Sequence, residues 1–193
     1  VREIVQNYDV DGIHFDDYFY PTNDELFDEY HYAAYRTQVS SNPLELEHWR
    51  RANVNAMVST VYGAVKSIKP NCIFGISPMA SIENNYHTVY ADVKAWLEGG
   101  YVDYIMPQLY FGFLNSACPL ERVLNDWICA VKNENIELYI GLSAAKCELG
   151  SMGIEDAFAG DSGKFEWRDN KDILKRSFEC ITKSKANGFC IFT

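Results

Sequence analysis

Short apolar runs rich in β-branched and aromatic residues alternate with helix-patterned segments along most of the chain. This alternation limits the fold more than any other feature. Five runs read as strands: Gly12–Phe19, Cys72–Pro78, Val102–Tyr110, Leu138–Ser143 and Gly188–Phe192. Each is bounded by Gly, Pro, Asn or Asp. Between them lie four helical stretches. Val54, Met57, Val58, Val61, Val65 and Ile68 repeat at helical spacing until Pro70 stops them. A second helix is expected from about Tyr86 to Leu97, before Gly99-Gly100. A third starts at Pro119 and buries Leu120, Val123, Leu124, Trp127 and Val131. The fourth covers about Lys171 to Lys185.

Such repetition predicts a parallel sheet with helical crossovers, and near-continuous apolar strands suit a sheet covered on its faces. A complete (β/α)8 barrel takes about 250 residues, and this chain has 193. The expected fold is therefore a single α/β domain over residues 1–193, an internal segment of a TIM barrel covering about strands four to eight and incomplete at both ends. A doubly wound sheet is the alternative, weakened by the lack of a Gly-rich phosphate turn. Long connections follow the first strand (Tyr20 to about His48) and the fourth (to about Asn170), while the turns entering strands are short. Barrel active sites are built at that long-loop end.

Composition narrows the function. With 27 acidic and 17 basic residues the net charge is −10, which argues against a nucleic-acid partner. No apolar run approaches the roughly 20 residues of a membrane span. The hydrophobic fraction of 48% argues against disorder. Cys72, Cys118, Cys129, Cys147, Cys180 and Cys190 lack metal or redox spacing and read as buried thiols. The four His form no metal set, so neither metal nor cofactor is expected. Oligomeric state is not legible.

The stretch Asp11-Gly-Ile-His-Phe-Asp-Asp-Tyr-Phe-Tyr-Pro21 holds the densest chemistry. Alternation along a strand puts His14, Asp16 and Tyr18 on the barrel interior, and Ile13, Phe15 and Asp17 on the helix side. Adjacent acids at the end of an apolar strand are costly unless solvated, paired or used. In the third strand Tyr104, Met106, Gln108 and Tyr110 share a face. Asp103, at the stability end, is not expected to be catalytic. Gly75 and Ser77, then Tyr139, Gly141 and Ser143, supply small or polar inward positions. Carboxylates beside Tyr18, Tyr20, Trp49, Tyr110 and other amphipathic rings suit carbohydrate. Arg50 and Arg51 lie near a helix N-terminus, where the macrodipole disfavours cations. They are expected to pair with loop acids such as Asp28, Glu29, Glu45 or Glu47, to reach Asp16, or to stand as solvated surface charge.

Four motifs, Asp11–Pro21, Trp49-Arg-Arg-Ala-Asn-Val54, Phe74-Gly-Ile-Ser-Pro78 and Asp103–Tyr110, resemble in order the bacterial glycosyl-hydrolase-like barrel family of secreted glycosidases and lipoproteins. The resemblance implies a TIM-barrel glycoside hydrolase acting on a bacterial polysaccharide, with cell-wall glycan a candidate, and export to the periplasm or cell surface. It implies catalytic roles for Asp16 and Asp17, and substrate contacts for Tyr18, Trp49, Arg50, Arg51, Gln108 and Tyr110; His14 and Ser77 on the inward face and Tyr20 at the strand's end are expected to contact substrate by their placement. The chain departs from the family after Ser-Pro, where Ser81-Ile-Glu-Asn-Asn85 stands. The first strand also resembles the chitinase pattern D-x-x-D-x-D-x-E. Asp11 and Asp16 match, but Tyr18 occupies the position of the catalytic Glu, so that mechanism is not expected. Asp16 is the expected nucleophile or base. The general acid is left open among Asp17, Glu83, Glu148, Asp161 and residues outside the segment. A non-catalytic carbohydrate-binding or scaffold barrel is the competing reading.

Overall fold

The computed structural model describes residues 1–193. Five parallel strands form one curled sheet: β1 (Gly12–Phe15), β2 (Ile73–Ile76), β3 (Tyr104–Ile105), β4 (Glu137–Ser143) and β5 (Gly188–Phe192). They pair in the order β1-β2-β3-β4-β5. The sheet is a half-barrel, consistent with part of a (β/α)8 barrel. No helix is long and apolar enough to cross a membrane.

The helices are α1 (Arg2–Asn7), α2 (Glu29–Gln38), α3 (Leu46–Ile68), α4 (Ile82–Thr88), α5 (Val93–Gly99), α6 (Leu120–Ala130), α7 (Ala145–Ser151), α8 (Gly160–Gly163), α9 (Glu166–Asp169) and α10 (Ile173–Thr182). The core lies between the convex face of the sheet and the helices. Phe74, Ile76, Ile105 and Ile140 from the strands meet Val58, Trp96, Trp127 and Ile181 from the helices. Two buried indole N–H groups find acceptors, whereas that of buried Trp167 has none. Trp96 Nε1 donates to Asn55 Oδ1 (2.7 Å) and Trp127 Nε1 to the Ala80 carbonyl (2.7 Å). Helix α6 buries Leu120, Val123, Leu124 and Trp127 as its spacing predicts, whereas Met57 of α3 is exposed.

The segment expected to be one helix from Tyr86 to Leu97 is two. Helix α4 ends at Thr88, and α5 starts behind Asp92, whose carboxylate accepts the Ala95 N–H (3.1 Å). Between them Tyr90 has φ +54°, uncommon for a residue with a Cβ. Tyr90 is buried, and its hydroxyl accepts a hydrogen bond from Arg50 Nη1 (3.0 Å). Tertiary contacts thus override a continuous helical pattern. The six cysteines are unpaired; Cys72 and Cys118 are buried, but Cys129 and Cys190 are exposed, against the expectation that all are buried.

The strands are shorter than the apolar runs. Strand β1 ends at Phe15 and the β3 ladder covers two residues. Beyond it, Gln108 rejoins the sheet by isolated bridges to Met79 and Gly141. Chain segments past the strand ends are therefore free of strict alternation, and they carry the residues discussed next.

Candidate active site

The concave face is organised in layers set by strand register. His14 pairs with Gly75, and Gly75 with Tyr104. His14 Nδ1 lies 2.7 Å from the Tyr104 hydroxyl, and the two rings stack at 5.8 Å. Burial lowers the His14 pKa, and the neighbouring Asp16 charge works against that. Tyr104 in turn meets the Tyr139 ring edge to face at 5.8 Å. Ile13 and Phe15 point the other way, into the core.

One layer toward the carboxyl ends sits the acidic cluster. Asp16 is exposed and Asp17 half-buried. Asp16 Oδ1 accepts the Asp17 backbone N–H (2.9 Å) and the Gln108 Nε2–H (2.6 Å). The same Gln108 amide donates to the Ser77 carbonyl (3.0 Å), and the Ser77 hydroxyl donates to the Met106 carbonyl (2.9 Å). Because β1 stops at Phe15, Asp17 does not turn to the helix side as strict alternation requires; its side chain bonds that of Asp16. Burial, then the Asp16 charge and that bond, push the Asp17 carboxyl above its usual 3.8. Tyr110 is pushed up to about 12 by burial and by the charges of Asp16 and Asp17. Its ring stacks on Phe192 at 5.7 Å. Tyr18 is 87% exposed at the rim.

Four expected substrate contacts lie elsewhere. Arg50 is fully buried in an ion pair with Asp28. Its Nε is 3.0 Å from Oδ2 and its Nη2 2.5 Å from Oδ1, while Nη1 and Nη2 also donate to the Asn23 and Asp24 carbonyls. The fork is consumed in tying the loop after β1 to α3, so the loop-acid alternative holds for Arg50. Tyr20 packs edge to face on Tyr90 at 5.3 Å, and the Arg50 guanidinium lies 5.3 Å from its ring centre. Arg51 is buried over the Tyr86 ring at 4.1 Å, with Nη2 3.3 Å from Glu47 Oε2. Trp49 wedges between Tyr32 (5.3 Å) and Tyr35 (5.8 Å), fixing α2 onto α3. None of the four joins the Asp16 cluster, because burying the long loop demands large amphipathic side chains of its own.

Asp103 receives the Phe74 N–H at 2.6 Å and the Lys66 ammonium at 2.7 Å, a strand-anchoring role. Glu83 pairs weakly with His87 and Lys94 along an outer groove of about 860 Å³ between α5 and α6, outside the concave face. Sequence reasoning passed over Glu166. It is buried, and its two carboxylate oxygens accept the Phe113 and Leu114 N–H groups, both at 2.9 Å, shaping the loop after β3. The only signal was Gly112, where a Cβ would collide with that carboxylate.

Residues 1–159 match the family model described as glycosyl hydrolase-like 10. The chain is 35% identical over 164 residues to "Glycosyl hydrolase YngK" of Bacillus subtilis (strain 168), covering 76% of this chain and 32% of that relative. It is also 35% identical over 162 residues to "Glycosyl hydrolase DigH" of Escherichia coli (strain K12), covering 76% of this chain and 36% of that one. The chain thus spans about a third of the length of these curated relatives. It belongs to the glycosyl hydrolase-like 10 family.

Proposed function

We propose that this member of the glycosyl hydrolase-like 10 family cleaves O-glycosidic bonds of a bacterial polysaccharide, with cell-wall glycan the first candidate, at the periplasm or cell surface. Its five strands correspond to strands four to eight of a (β/α)8 barrel. The observation that carries the reading is the Asp16–Asp17 pair at the carboxyl end of β1, held by Gln108 and flanked by Tyr110 and the exposed Tyr18. In this role Asp17 is the proton donor to the leaving glycosidic oxygen. Asp16, ionised, faces the positive charge that develops on the sugar ring.

Two-carboxylate hydrolysis separates its groups by about 5–5.5 Å or 6.5–9.5 Å. Asp16 and Asp17 touch. We therefore assign the pair to one side of the scissile bond, and the opposite side to a residue outside these five strands. The same contact supports a second reading, a barrel that binds glycan without cutting it.

Reducing-end release from purified cell-wall glycan strands by the natural full-length protein separates the two. Cleavage that is lost in Asp16→Asn and Asp17→Asn, with the fold retained, is the expected result. Calorimetric binding without release favours the second reading, and neither binding nor release removes both.

A further inference from the structure

Gln108 is placed to do more than line the site. Its carboxamide carries two hydrogens, and both are spent, on Asp16 Oδ1 and on the Ser77 carbonyl. A flipped amide would set its oxygen against two acceptors, so its orientation is determined. The Ser77 end is rigid, since Ser77 N donates to the Phe15 carbonyl (2.8 Å) and Ser77 is buried. Asp16 Oδ1 therefore receives two N–H donors, from Gln108 and from the Asp17 backbone. Donors of that kind favour a carboxylate over a carboxylic acid. Asp16 is also the exposed member of the pair and Asp17 the half-buried one. Burial favours the neutral form.

Two touching carboxyl groups share one proton at moderate pH, because like charges at contact are costly. We infer that Gln108 is a positioning residue that apportions this proton, keeping Asp16 ionised and leaving the proton on Asp17. The inference builds on the reading of Asp16 and Asp17 as the reacting pair and names the residue that decides which member holds the proton. It also changes the part expected for Gln108 from sugar contact to support, since a sugar hydroxyl could gain its N–H only by releasing Asp16 or Ser77. The Asp17 carboxyl is displaced upward because burial and the Asp16 contact outweigh the smaller downward pull that the Gln108 amide also exerts on it. The titratable groups around the pair are His14 and Tyr18 from the β1 segment, Tyr104 and Tyr110 from the β3 segment, and Cys190 from β5. None of them is a cation that would draw the proton off Asp17: burial works against a charge on His14 and keeps the Tyr104 and Tyr110 phenols neutral.

The test is a carboxyl-carbon NMR titration of the whole chain labelled with 13C-aspartate, assigned through Asp16→Asn and Asp17→Asn. In the unsubstituted protein the upper titration step of the pair is expected on the Asp17 carbon. In Gln108→Leu, with backbone amide spectra verifying the fold, both carbons should show two steps, as a proton shared between them requires. An upper step on Asp16 in the unsubstituted protein overturns the inference, whether or not Gln108→Leu folds. Single, unchanged steps in a folded Gln108→Leu overturn it too. The readout needs no glycan, so failure to cleave or bind one counts against the glycosidase reading alone.

Discussion

Gly75 lies directly under the ring of Tyr104: a Cβ at Gly75 would come within 2.1–2.4 Å of three ring carbons. The missing side chain lets the phenol lie across β2 to reach His14. Gly188 serves Tyr139 in a similar way two strand pairs along, with a Cβ there 3.2 Å from the ring. Aromatic rings covering strand glycines recur in sheets.

Gly75→Ala should therefore destabilise the fold by about 1–3 kcal/mol, the usual range for overpacking. Thermal denaturation should show it as a drop of several degrees. The His14–Tyr104 contact should loosen as well, visible as a changed His14 titration by NMR. An unaltered melting temperature would mean that the ring swings aside freely.

Asp28→Asn should be among the most damaging conservative changes in the chain. It strips the carboxylate from a fully buried guanidinium, and breaking one side of a buried pair costs about 3–5 kcal/mol. Chemical denaturation of the variant measures this. Proteolysis should then cut the loop between β1 and α3 first, since Arg50 ties down its Asn23 and Asp24 carbonyls.

Asp17→Asn should stabilise the folded protein at neutral pH. An acid whose folded pKa is raised binds its proton more tightly folded than unfolded. Stability from that group is present below the unfolded value near 3.8 and is lost as pH climbs through the folded one. The amide escapes that loss. The gap in melting temperature between variant and parent should open as pH rises from about 4 and close at lower pH. A variant less stable at pH 7 would contradict it.

Tyr110 should titrate near 12, and Asp16→Asn should move it part of the way back toward 10. The return is partial because burial is the larger cause and the aspartate charges the smaller. Cζ chemical shifts of 13C-labelled tyrosine, followed to high pH, report it. A Tyr110 shift untouched by Asp16→Asn would place the phenol outside the field of the carboxyl pair.

Much of the architecture was legible in the chain because apolar periodicity encodes which face is covered. All five strand runs contain a strand, and α6 buries Leu120, Val123, Leu124 and Trp127 as its spacing selects, while Val131 lies just past its end and is half-buried. What periodicity cannot report is where pairing stops. Strand β1 ends at Phe15, and that early end brings Asp17 to Asp16 instead of sending it to the helices. The helix break at Tyr90 was hidden for a related reason. It depends on Arg50, 40 positions away, and no local pattern carries that information. Trp49, Arg50 and Arg51 looked like ligand contacts because binding and packing of a long loop draw on the same aromatic and guanidinium chemistry.

Each strand of the sheet pairs with the strand that precedes it in the chain. During synthesis, each strand from β2 to β5 therefore emerges to find its preceding partner already laid down. Growth of the sheet is vectorial, one strand and its helices at a time, at the pace of the ribosome. A slow stretch of translation after any strand would leave behind an ordered, shorter version of the same sheet rather than a tangle. Mistakes should consequently be confined to the newest unit.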